Sequence, residues 1–128
     1  MKTKYIDVDG YWGVVVCYDI KPLDEYEMRQ NMMAFGIIGE RLEEAVDILY
    51  QENTGMCISR DDIRMSLIFI GRQSGEEQFW DTMAHELYHS QCAITDYYNI
   101  RCCGEDSAWL MGYLMRQAVM LIESPYVK

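Results

Sequence analysis

Apolar and polar positions follow two different periods along this chain. Lys4 to Val8 and Tyr11 to Tyr18 are rich in β-branched and aromatic residues, and Asp9-Gly10 between them is a two-residue hairpin signal, so a β-hairpin is expected first. After Pro22 the period lengthens. Asp24-Glu25-Tyr26-Glu27 has an acidic capping-box pattern ahead of Met28, Met32 and Phe35, and Ile38, Leu42, Ala45, Val46 and Leu49 form a second stripe that ends before Gly55. Two helices are expected there, separated near Gly36 or Gly39. Arg64 to Ile70, a short apolar run between Asp61-Asp62 and Gly71, reads as a buried strand. Ser74-Gly75-Glu76-Glu77 has the S-x-x-E form of a capping box and predicts a helix from near Gly75. A last helical segment runs from Glu105 to Glu123, where Ser124-Pro125 stops it. The order β-β-α-α-β-α-α predicts one α+β domain over residues 1–128. Its small sheet, the N-terminal hairpin plus one further strand, is expected to pack with about four helices.

The candidate chemistry sits on the helix that starts near Gly75. At ~100° per residue, Phe79, Trp80, Met83, Leu87 and Ile94 share one broad face, and His85 and His89 fall nearly opposite. These are the only two histidines in the chain. The string His85-Glu86-Leu87-Tyr88-His89 reads as HExxH, which places two metal-ligating imidazoles one turn apart with a carboxylate beside them. The competing reading is a solvated helix face that carries two histidines by accident.

Catalytic zinc takes three protein ligands and leaves a fourth position for water. Glu105, sixteen positions after His89, is the candidate third ligand. On its helix Ala108, Gly112 and Arg116 lie on the Glu105 side, and the two small residues are expected to allow close approach to the motif helix. Asp106 competes with it, pointing ~100° away with one fewer methylene of reach. Cys92, Cys102 or Cys103 offers a thiolate alternative that would close the site.

HExxH followed by a glutamate on the next helix resembles the zincin metallopeptidases of the glutamate-ligand type. Glu105-Asp106-Ser107-Ala108 further resembles the E-x-x-A element that follows HExxH in small metallopeptidases of mobile genetic elements and stress regulators, and the compact layout resembles small zincin-like proteins carried by phages and conjugative elements. The resemblance covers roughly Gly75 to Glu123 and implies a zincin-like core, with Zn2+ held by His85, His89 and Glu105 and with Glu86 as general base. It also implies hydrolysis of a peptide bond in a protein or peptide substrate, and a cleft bordered by the strand just before the motif helix. An oxyanion donor is needed as well, and Tyr88, Tyr97, Tyr98, Tyr113 and Arg116 are equal candidates by position.

Composition narrows the alternatives. Eleven basic against twenty-one acidic residues give a formal charge of −10 with no basic run, which argues against nucleic-acid binding through phosphates. The acidic cluster Glu40, Glu43, Glu44 and Asp47 reads as a solvated face, with attraction to a basic partner as the sharper alternative. No run of eighteen apolar residues is present, and Lys2 and Lys4 precede a polar start, so a cytoplasmic protein away from membranes is expected. The five cysteines form no C-x-x-C pair and are expected to be reduced thiols. Ten methionines suit an adaptable core. Two function classes remain: a zinc peptidase, and a non-catalytic binding or regulatory module of the same shape.

Overall fold

A computed structural model describes residues 1–126. Strands β1 (Lys2–Val8) and β2 (Trp12–Tyr18) form the expected antiparallel hairpin. Its turn places Asp9 (φ 49°) and Gly10 (φ 76°) in left-handed conformations, with the Tyr11 N–H donating to Val8 O at 2.8 Å. Helices α1 (Glu25–Ala34) and α2 (Glu40–Leu49) follow, divided at Gly36 and Gly39 as expected. Strands β3 (Gly55–Arg60) and β4 (Met65–Ile70) come next, then α3 (Glu76–Tyr97) and α4 (Glu105–Leu121).

The fold is α+β, and its sheet has four strands in the order β1-β2-β4-β3. β2 and β4 pair in parallel at the centre, and β3 pairs antiparallel with β4 at the edge. β3 was not expected from the pattern. Its Met56 and Ile58 pack on the α1/α2 side, whereas Cys57 and Ser59 alternate with them on the other face, so no continuous apolar run announces it. The strand anticipated at Arg64 to Ile70 exists as β4, but it lies inside the sheet.

The two sheet faces carry separate cores. Val14, Val16, Ile68 and Ile70 pack with Phe79, Met83, Leu87 and Ile94 of α3 and Leu110 and Leu114 of α4. Cys17, Leu67 and Phe69 point the other way, onto Met28, Met32, Leu42, Val46 and Leu49 of α1 and α2. Being buried on both faces is why β2 and β4 read as unbroken hydrophobic runs. No helix among the described residues is long and apolar enough to cross a membrane.

Neither expected capping box forms. Asp24 reaches back to the Lys21 N–H at 2.8 Å, because a short 3-10 turn (Pro22–Asp24) runs directly into α1. Gly75 is the N-cap of α3 and no side chain caps it; the preceding Ser74 is held through its own N–H by Asn53 Oδ1 at 2.8 Å.

One polar cluster is sealed between the sheet and α3. Fully buried Ser66 on β4 accepts from Trp12 Nε1 at 3.0 Å and from the Ser90 hydroxyl of α3 at 2.9 Å, and shares a 2.7 Å bond with Ser59 Oγ. Ser66→Ala removes the shared partner and strands a buried indole N–H, so a loss of about 1–3 kcal/mol is expected. A denaturant midpoint equal to that of wild type would contradict this.

Candidate metal centre

α3 builds the site because its apolar stripe is pinned to the sheet. With Met83, Leu87 and Ile94 buried, helix geometry turns His85 and His89 outward, and both rings are exposed. Their Nε2 atoms approach to 3.2 Å, and the ring centroids are 4.8 Å apart. Glu86 Oε2 lies 3.9 Å from His85 Nε2. The ligand atoms of His85, Glu86 and His89 all fall within 4.8 Å of one another.

The histidine pair has the spacing of two ligands on one zinc ion. Two imidazole nitrogens each ~2.0–2.1 Å from one tetrahedral ion stand about 3.3 Å apart, close to the separation the rings already hold.

Glu86 differs from its neighbours in burial, with its side chain only 7% exposed against 68% for His85. The carboxyl lies against the start of β3. A side chain at Gly55 would come within 2.9 Å of Glu86 Cγ, 3.1 Å of its Oε2 and 2.8 Å of Thr82 Cγ2, so the absence of one lets the edge strand close over the carboxylate. Gln73 fixes that approach. Its Oε1 accepts from Thr82 Oγ1 at 2.7 Å, while its Nε2 donates to the carbonyls of Thr54 and Gly71, each at 2.9 Å. Motif spacing carried no sign of Gly55, Thr82 or Gln73. The one available signal was an isolated glycine, which often marks close backbone approach.

Burial holds the Glu86 carboxyl above the ordinary carboxylate range, and the charges of His85 and His89 offset part of that rise. Such a group binds its proton more tightly folded than unfolded. Its contribution to stability is therefore complete below the ordinary carboxyl pKa and is lost as pH rises through the raised value. Metal-free wild type is expected to lose stability relative to Glu86→Gln between acid and neutral pH. Urea midpoints of both proteins at the two pH values measure this, and parallel behaviour would contradict it. Desolvation also pushes the Cys57 thiol up to about 12, with the nearby Glu86 adding to the rise, so Cys57 is a neutral neighbour of the site.

Glu105 is not brought to this group. It opens α4 with an exposed side chain, as does Asp106. α4 packs inward through Ser107, Leu110, Leu114 and Ala118, and meets α3 where Gln91 Nε2 donates to Ser107 O at 3.3 Å. Gln91 lies ~160° round α3 from His89, whereas Cys102, just before α4, lines a pocket together with Cys92, which follows His89 by three residues on nearly the same side of α3. The expected close approach through small residues is also absent. Ala108, Gly112 and Arg116 are exposed, and a side chain at Gly112 would meet nothing within 4 Å. Cys92, Cys102 and Cys103 stand outside the group as free thiols.

Of the five candidate oxyanion donors, the structure keeps one near the imidazoles. Tyr113 and Tyr98 donate to the carbonyls of Asp7 and Tyr11, Tyr97 packs on Trp12, and Arg116 lies on the outer face of α4. Tyr88 remains, its ring 6.4 Å from that of His89. Compared with known proteins, the chain matches no family model, no curated protein and no solved structure.

Proposed function

We propose that this chain is a zinc-dependent metallopeptidase that hydrolyses a peptide bond of a protein substrate. The observation that carries the assignment is the pair of imidazole nitrogens 3.2 Å apart beside a buried carboxylate of raised basicity. His85 and His89 would hold the ion. Bound there, zinc would acidify a water toward neutrality and polarise a carbonyl. Glu86 takes the water's proton and delivers it to the leaving amine, a role that suits a carboxyl shifted toward neutral pH. Tyr88, with its ring 6.4 Å from that of His89, is the candidate donor to the developing oxyanion. The outer edge of β3 has no strand beside it among the described residues and runs past Glu86, so it suits an extended peptide bound by strand addition. This takes over the cleft-bordering role expected of the preceding strand. The likeness to zincins of phages and mobile elements supports the same assignment, and five free thiols suit a reducing compartment.

A second reading is favoured by the position of Glu105. With no carboxylate arriving from α4, the described donors are His85, His89 and Glu86 alone. If Glu86 itself ligates, no base remains, and the protein is a non-catalytic metal-holding or binding module. Elemental analysis of protein purified without chelator, paired with a peptide-library cleavage assay, tests the enzyme. Stoichiometric zinc that His89→Ala loses, together with cleavage, supports it. Wild type that binds zinc and cleaves nothing overturns it.

A further inference from the structure

We propose that the outward face of α4 is a self-association surface through which two copies of this chain pair antiparallel. This face carries Glu105, Ala108, Trp109, Gly112, Arg116, Val119 and Met120 along one stripe, and all are exposed. Trp109 is 67% exposed, Val119 60% and Met120 69%. Exposed apolar side chains grouped on a face turned away from both cores mark a candidate association surface.

The occupant follows from the surface itself. A two-fold interface must be self-complementary, each feature meeting its opposite on the same face. Trp109 is a ridge, braced by stacking on Tyr113 with the rings 5.9 Å apart and 13° from parallel. Gly112 is the matching depression, with open space where a side chain would stand. Antiparallel pairing that sets Trp109 over Gly112 of the second copy has its axis between Leu110 and Met111. The same register brings Glu105 opposite Arg116 of the second copy, and sets Val119 and Met120 opposite Cys102 and Arg101, just ahead of the second copy's α4. Symmetry repeats both contacts, giving two indoles in two depressions and two pairs of opposite charge. Neither Glu105 nor Arg116 has an ion-pair partner among the described residues. An apolar pocket of ≈ 380 Å³ between Trp109, Leu110, Tyr11 and Tyr98 continues the surface beyond the helix.

Sedimentation of the full chain, followed up to about 200 μM, tests the pairing. Wild type is expected to show a concentration-dependent dimer. Gly112→Leu fills the depression, and Arg116→Glu faces Glu105 with like charge; each is expected to raise the dissociation constant roughly tenfold or more. The double variant Glu105→Arg/Arg116→Glu restores opposite charges and is expected to return to within about threefold of wild type. Circular dichroism checks that each variant folds, and Arg116→Glu, an exposed charge change, keeps the test open if Gly112→Leu does not. Wild type that stays monomeric throughout, a dimer indifferent to both single changes, or a folded double variant that fails to recover would each overturn the proposal.

Discussion

Glu86→Gln is expected to keep zinc at the wild-type stoichiometry while lowering turnover by about 10²–10⁴-fold or more. The amide preserves the shape of the side chain and its fit against Gly55, but it cannot accept the proton of water. It also removes a buried charge, so the metal-free fold should become more stable at neutral pH. The opposite result is equally informative. A neutral amide is a poor ligand, so if Glu86 completes the metal site, Glu86→Gln loses zinc along with any activity. His89→Ala calibrates both measurements, since it deletes a ligand atom outright. Zinc retained and cleavage unchanged in Glu86→Gln would remove Glu86 from the chemistry altogether.

Gly55→Ala is expected to damage the site through the fold. The new methyl group would press on Thr82 Cγ2 at 2.8 Å and Glu86 Cγ at 2.9 Å, and Thr82 cannot give way without breaking its bond to Gln73. Overpacking of this kind costs about 1–3 kcal/mol, against roughly 0.5–1 kcal/mol recovered by removing a glycine from a strand. The net effect is a modest fall in unfolding free energy. The larger consequence is positional, because the flexible Glu86 yields first and swings its carboxylate from its packed place. Cleavage should therefore fall much further than the fraction folded, while zinc held by His85 and His89 stays bound. Stability and cleavage rate measured on the same preparation decide it, and an unchanged midpoint with full activity would show that β3 does not hold the carboxylate.

Local geometry explains which parts of this protein are legible in its amino-acid sequence alone. Asp9-Gly10 determines a turn because left-handed backbone at both positions is what a tight hairpin needs, and Gly36 and Gly39 divide two helices for a related reason. HExxH determines that two imidazoles meet, since any regular helix with Met83, Leu87 and Ile94 buried must turn His85 and His89 to one outward side. The α+β class follows from the same periodicities. Other features are decided only in three dimensions. β3 is an edge strand held by its backbone, half-buried along its length, and its Cys57/Ser59 face blurs the pattern that would announce it. The place of Glu105 depends on which flank of α3 receives α4. That is settled by Leu110 and Leu114 joining the core beside Leu87 and Ile94, and spacing along the chain holds no information about it. Gly55 matters only because β3 arrives beside Glu86, which is a consequence of sheet order. Within one helix, sequence distance sets spatial distance; between elements, the apolar faces choose their partners and the polar side chains go where that packing leaves them.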